Sequence, residues 1–301
     1  MNSFILVHND ERLIVDPGHS YYRSLLRGLD TRTRSHSTCT FHVARADAGA
    51  IGGEGDAVLL EQSHVARRRF DWTSGLPGVP VDRGGRRLLA GQWGELVACG
   101  SEVSALYGWP MEEFSRFWFL CGSHVLFVVD VIRSKVPVRA EWSWLLDHRD
   151  GKLEVSRGSG SDVMVRRGES AMLLHCGGGE ALVAEHAFVH DAYDPLPGGP
   201  GEGRCGSGLR LSWRERRGAV DRVVLHGMAM DVPWRLGSWA CAVAEGSLTL
   251  RCEAPEQFWT IRCPAGDREN LELLDGKGGG WRIVLPRGAA GAVRVDSFGA
   301  D

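Results

Sequence analysis

A chain of 301 residues, 43% hydrophobic and with a formal charge of −3, has room for one large β domain or two smaller ones around a sizeable core. The near-neutral balance gives no global drive toward nucleic acid or an anionic membrane surface, and no apolar run approaches the roughly 18 residues of a helical membrane span. Eight scattered cysteines without a C-x-x-C pair speak against a zinc knuckle or a disulfide framework and leave at most one bridge, such as Cys252–Cys263.

Forty glycines and twelve prolines cut the chain into short runs rich in Val, Leu, Phe and Trp. In chain order the expected strands are Phe4–His8, Arg12–Val15, Cys39–Val43, Ala57–Glu61, Leu96–Ser101, Val125–Val131, Val138–Leu145, Ser161–Val165, Ala171–His175, Leu209–Trp213, Arg222–His226, Ser247–Cys252, Phe258–Arg262, Asn270–Leu274, Trp281–Leu285 and Ala292–Val295. The first run is short and ends at Asp10, Glu11 and Arg12, so residues 1–15 do not read as a signal peptide. Val125–Val131 is apolar throughout, as a strand buried on both faces is. Val138, Ala140, Trp142 and Trp144 alternate with Arg139, Glu141 and Ser143, as two faces of one strand do. Helix candidates are two: Tyr22–Leu29, and Met111–Phe117, which follows Pro110 and carries Glu112 and Glu113 in its first turn. Many short strands with turn residues between them predict an all-β fold, a large antiparallel two-layer β-sandwich. The stretch 194–207, DPLPGGPGEGRCGS, is the clearest loop. It divides a sandwich over 1–193 from 208–301, which continues that sandwich or forms a small terminal β subdomain.

Chemistry-bearing side chains concentrate between the second and third expected strands: His19, Tyr21, Tyr22, Arg23, Arg32, Arg34 and His36. Arginine holds carboxylates through paired hydrogen bonds, and tyrosine and histidine move protons. Asp16 and His36 are compatible with a nitrogen–oxygen metal site, although two ligands do not make one. The plainer alternative is an exposed polar loop in which Asp16-Pro17-Gly18 serves only as a turn. Elsewhere the signals are weaker. His186 and His190 are spaced like ligands on one helical face, but their surroundings lack helical periodicity. His175-Cys176 and the glycines after it end a strand and read as a turn. His64 with Arg67, Arg68 and Arg69 makes a second basic cluster, and most of the eleven tryptophans read as core.

The opening resembles the C-terminal β-domain of the heparinase II/III-like polysaccharide lyases. In that family a strand ends in a D-x-G turn, a Tyr/Arg-bearing loop follows, and an R-S/T…H-N-T segment enters the next strand. The matching residues here are Leu13-Ile14-Val15-Asp16-Pro17-Gly18, Tyr21-Tyr22-Arg23, and Arg34-Ser35-His36-Ser37-Thr38, with Ser37 in place of the family's Asn. Residues 119–146 also resemble the family, through Asp130, Arg133, Trp142 and Trp144. Asn2-Ser3-Phe4 matches the tail of its H-x-D-x-(G/N)-S-F motif. The resemblance implies β-elimination on a uronic-acid polysaccharide, with Tyr21, Tyr22 and His19 as catalytic candidates and Arg23, Arg34 and His36 facing the acidic polymer. It implies an N-terminal α/α toroid and the motif's histidine, both expected upstream of Met1. It also implies a structural zinc, for which Asp16 and His36 match two ligands of three, an incomplete and weak site. Relatives of this kind work in the periplasm or outside the cell. The alternative in a different class is a non-catalytic β-sandwich that binds acidic glycans.

Overall fold

A computed structural model describes residues 2–16, 32–48, 56–62, 85–148, 150–157, 162–177, 180–182, 186–188, 208–236, 240–243, 248–255, 257–264, 269–285 and 292–299. The chain opens with the hairpin β1 (Leu6–His8) and β2 (Glu11–Ile14), then β3 (Cys39–Ala44) and β4 (Ala57–Leu60). A meander follows: β5 (Arg86–Trp93), β6 (Leu96–Glu102), β7 (Met111–Cys121) and β8 (Val125–Asp147). Next come β9 (Glu154–Arg157), β10 (Asp162–Arg167), β11 (Ser170–Cys176), β12 (Glu180–Leu182), β13 (His186–Phe188), β14 (Gly208–Arg214) and β15 (Ala219–Asp231). The last six are β16 (Ala240–Val243), β17 (Leu248–Ala254), β18 (Gln257–Cys263), β19 (Asn270–Asp275), β20 (Gly280–Val284) and β21 (Arg294–Phe298). Among the described residues β1–β15 form one sheet and β16–β21 a second, with all pairings antiparallel. The expected antiparallel β-sandwich is therefore the observed fold. No helix of the described residues is long and apolar enough to cross a membrane.

Strand β8 organises the molecule. Its first half, Val125–Arg133, lies between β7 and β15, and its second half, Val138–Asp147, lies between β3 and β14. The exchange of partners falls where Pro137, which has no N–H to give a ladder, interrupts the run. Alternation along the first half sends Val125, Phe127, Val129 and Val131 into a core shared with Leu250, Ile261, Leu271 and Ile283 of the second sheet. Leu126, Val128 and Ile132 enter a different core, which Val138, Ala140, Trp142, Trp144 and Leu146 of the second half complete. Both faces of Val125–Val131 are thus covered, as the apolar run required. Trp142, Trp144 and Trp213 are fully buried, and truncating any one to Ala should cost about 3–5 kcal/mol.

Three expectations are corrected. Met111–Phe117 is not helical but the start of β7. Its aromatic run Phe117-Trp118-Phe119 suits a pleated surface, and pairing with β8 outweighs the local N-terminal signals of Pro110, Glu112 and Glu113. His186 lies on β13, so helical spacing to His190 does not apply. Cys252 and Cys263 do not bridge each other; they stand opposite Trp259 and Leu248 in the register of the β17–β18 pair. Tyr22–Leu29 lies outside the described residues.

Candidate functional site

The site is built on the segment that enters β3. Residues Thr33–Ser35 make one 3-10 turn, closed by Ser35 N–H to the Arg32 carbonyl at 3.0 Å and His36 N–H to the Thr33 carbonyl at 3.1 Å. Serine and threonine supply the local hydrogen bonds that compete with regular structure here. Ser37 is held on three sides. Its N–H donates to Ser3 Oγ at 3.2 Å, its Oγ accepts from Leu145 N–H at 3.0 Å, and its carbonyl accepts from Arg116 Nη1 at 3.1 Å. Thr38 Oγ1 donates to Asn2 Oδ1 at 2.6 Å, and the Thr38 carbonyl accepts Ser143 N–H at 2.8 Å. Gln62 joins the same cluster: its N–H donates to Thr33 Oγ1 at 2.6 Å, and its Nε2 reaches Asn2 Oδ1 at 3.0 Å and Tyr107 Oη at 3.1 Å. Tyr107 in turn donates to the Cys39 carbonyl. Nearly every backbone group from 35 to 39 is committed, so the segment is a rigid, buried platform.

That platform presents His36. Asp16, just past β2, lies with Oδ2 2.8 Å from His36 Nδ1. His36 is 5% exposed, whereas the Asp16 side chain is 37% exposed. An ionised carboxylate only accepts hydrogen bonds, so Nδ1 carries the proton of this contact. Nε2 is buried and among the described residues has no hydrogen-bond partner, and the same holds for Nδ2 of Asn2 and Oε1 of Gln62. A carboxylate-oriented imidazole with its far nitrogen uncommitted can take up a proton or accept a hydrogen bond from a ligand. Arg34, half-buried two residues before His36, has no ion-pair partner among the described residues.

Beneath the platform lies a buried charge pair. Arg116 on β7 and Asp130 on β8 are register partners and fully buried; Nε donates to Oδ1 and Nη2 to Oδ2, each at 2.7 Å. Trp142 Nε1 donates to Asp130 Oδ2 at 2.7 Å, and the Arg116 guanidinium lies 5.3 Å from the Trp144 ring centre. Burial alone would push the Asp130 carboxyl up, but the Arg116 charge and hydrogen bonds hold it well below the usual carboxylate range. His226 Nε2 stands 3.4 Å from Asp130 Oδ2 without hydrogen-bond alignment, and its Nδ1 is 3.0 Å from Cys176 Sγ. Burial pushes the His226 pKa down and keeps the ring neutral. A Cys–His–Asp sequence of contacts results, but with Cys176 1% and His226 0% exposed it is a core network.

Of the residues expected at the site, Asp16 and His36 come together and Arg34 lies in the same segment. His19, Tyr21, Tyr22 and Arg23 lie outside the described residues, as do His64, Arg67, Arg68 and Arg69. The zinc expectation is not supported. Asp16 and His36 bond each other, and among the described residues no group of three His, Cys, Asp or Glu side chains converges, whereas a structural zinc is held by four ligands. Reasoning from sequence missed Arg116, Gln62 and Tyr107. A lone arginine inside FSRFWFLC was the available signal, since an unpaired charge does not stay in such a core.

No family model matches the sequence, and no curated protein matches it either. Solved structures do resemble the fold. Heparan sulfate lyase HepC from Pedobacter heparinus, in a mutant form, superposes with a TM-score of 0.54 at 11% identity, over 98% of this chain and 36% of that one. The heparinase III BT4657 gene product gives 0.56 at 11% identity, again over 98% and 36%. A further heparinase III gives 0.52 at 10% identity, over 98% and 35%. The chain has a heparinase-like fold and spans about a third of the length of these proteins.

Proposed function

We propose that this chain forms the β-sheet wall of a polysaccharide lyase that cleaves a uronic-acid polymer by β-elimination. The observation that carries the reading is the Asp16–His36 pair. It is a carboxylate-oriented imidazole on a rigid platform, its far nitrogen buried and without a hydrogen-bond partner among the described residues, in a fold resembling heparinase III. In the reaction a base takes the C5 proton of the uronate, and the C5–H electrons form the C4–C5 double bond. The C4–O bond breaks, and the departing oxygen takes a proton. Charge builds on the uronate carboxylate, which fixed cationic donors stabilise best in a water-poor cleft. His36 serves as a proton-transfer group or as a donor to the substrate, and Arg34 neutralises the carboxylate. Tyr21, Tyr22, His19 and Arg23 complete the wall in this reading. A toroidal partner domain supplies the opposite wall, and the protein works in the periplasm or outside the cell, as family resemblance implies.

The test is to incubate the complete gene product with heparan-type, alginate-type and bacterial exopolysaccharide polymers and to follow unsaturated uronate at the new chain ends. Release from at least one polymer is expected. Release from none, with retained binding to an acidic glycan, would replace the lyase by a non-catalytic glycan-binding module.

A further inference from the structure

A second cluster of polar groups lies two strands from the platform. Across the meander, Arg87 on β5 pairs with Ser101 on β6, Ser101 with Arg116 on β7, and Arg116 with Asp130 on β8. Register partners share a face, so these four residues form one row. Arg116 in that row is the group that holds the Ser37 carbonyl. With strands about 4.8 Å apart, Arg87 stands roughly 10 Å along the row from Arg116.

Over the β5–β6 end of this row is an open cavity of about 350 Å³, lined by Arg86, Arg87, Ser101 and Trp118, with Leu89 and Val103 as apolar walls. Three of its lining residues carry a buried polar atom with no hydrogen-bond partner among the described residues: Arg86 Nη2, Ser101 Oγ and Trp118 Nε1. A guanidinium and an indole N–H can only donate, and a serine hydroxyl can donate as well. Neither Arg86 nor Arg87 has an ion-pair partner among the described residues, and no carboxylate lines the cavity. Buried donors left unpaired are costly, and what satisfies such a set is an acceptor carrying negative charge.

We infer that this cavity is a subsite for an oxyanion of a glycan, the carboxylate of a uronate or a sulfate ester. Arg87, on the row's own face, supplies the charge, Ser101 and the Trp118 indole N–H fix its orientation, and Arg86, paired in register with Glu102, lines the cavity beside them. The volume sits at the low end of small-ligand sites, about 300–1,000 Å³, which suits one charged sugar unit. The row continues inward to Arg116 and Asp130, which are fully buried, so the cavity and the His36 platform are joined through one face of the sheet. The glycan identity of the ligand rests on the lyase reading; the oxyanion preference rests on the donors alone.

The experiment is calorimetric titration at low salt with two probes: an unsulfated polyuronate oligosaccharide and a sulfated oligosaccharide without carboxylates. At least one should bind. Arg86→Ala with Arg87→Ala together should weaken that binding at least about tenfold, chiefly through loss of the charge-assisted hydrogen bond from Arg87. The single Arg87→Ala, at an exposed position, carries the same test in a variant whose fold is not in question. Arg294→Ala, on β21 of the second sheet and paired with Asp296, should leave binding unchanged. Polyuronate binding alone assigns the site to carboxylate, and binding of the sulfated probe alone assigns it to sulfate. Absence of binding by both, or equal binding by parent and arginine variants, overturns the subsite. If the arginine variants lose binding while the complete gene product cleaves no polymer, the subsite stands and the lyase reading falls. If cleavage proceeds with KM unchanged in the variants, the lyase stands and the subsite falls.

Discussion

At the residue scale, two pairs carry the argument and each makes a separate prediction. His36 owes its tautomer to Asp16 and its position to the hydrogen bonds on Ser37 and Thr38. His36→Ala should lower the release of unsaturated uronate by the complete gene product by about 10²–10⁴-fold, the usual worth of a positioned acid–base group, with little change in unfolding midpoint. Asp16→Asn, whose amide oxygen still accepts the Nδ1 proton, should cost less. Turnover by His36→Ala equal to the parent would remove His36 from the chemistry. Arg116 and Asp130 behave differently because they are fully enclosed. Arg116→Met leaves a carboxylate in the core without its counter-charge, which should cost about 3–5 kcal/mol in urea unfolding. Adding Asp130→Leu removes that stranded charge, so the double variant should be the more stable of the two. It should still lose activity, because the Ser37 carbonyl has lost the Arg116 donor. A double variant less stable than Arg116→Met would mean that Asp130 serves chiefly the Trp142 indole rather than the arginine.

At the scale of elements, the second half of β8 is fastened to both neighbours through one side chain. Glu141 Oε2 accepts from His42 Nε2 on β3 at 3.0 Å and from Arg214 Nε and Nη2 on β14 at 2.7 and 2.5 Å. Burial opposes its ionisation, but these hydrogen bonds and charges prevail and lower its pKa to about 2 from 4.5. A depressed folded pKa stabilises above the unfolded value and loses that stabilisation as pH falls through the folded one. Stability should therefore drop by about 2 kcal/mol, after discounting for solvent screening, between pH 4.5 and about pH 2. Glu141→Gln should flatten that part of a urea-midpoint profile, and an unchanged slope would take Glu141 out of the acid response. This strand also shows what the sequence made legible. The alternation Val138, Ala140, Trp142, Trp144 against Arg139, Glu141, Ser143 identified both faces, and the apolar run Val125–Val131 identified a doubly covered strand. Neither pattern shows that the two stretches are one strand folded around a shared core, because that depends on which strands pair with each half. Strand β7 was misread because Pro110, Glu112 and Glu113 are local signals, whereas its pairing with β8 is not. At the site, sequence joined Asp16 to His36 as possible metal ligands, first by residue type and then through resemblance, and not as a hydrogen-bonded pair. The partners that hold the platform, Asn2, Gln62, Tyr107 and Arg116, come from four distant segments, and Gln62 and Tyr107 left no local signature.

At the scale of the whole molecule, the question is what fixes the second sheet against the first. The interface is apolar on both sides: Val125, Phe127, Val129, Leu225 and Ala229 meet Leu250, Cys252, Ile261, Leu271 and Ile283. Gly227 on β15 marks the closest approach. A Cβ added there would lie 2.8 Å from Leu250 Cδ2 and 2.9 Å from Cys252 Sγ, so the missing side chain is what lets β17 settle onto the central strands. The reason for glycine is space rather than a left-handed backbone, since Gly227 sits within a regular strand opposite Phe127. Gly227→Ala should strain the contact modestly, because Leu250 can shift its side chain. Gly227→Val should overpack it by about 1–3 kcal/mol. The platform residues hang from the opposite face of the same strands, where Leu126, Val128, Trp142 and Trp144 belong to the other core. The two cores therefore make the prediction asymmetric. Gly227→Val should lower the urea midpoint while glycan binding and any polymer cleavage, assayed at low temperature on the folded fraction, stay near the parent value. Loss of binding in parallel with stability would mean that the central strands transmit strain from one face to the other, and that the second sheet helps to set the geometry of the His36 platform.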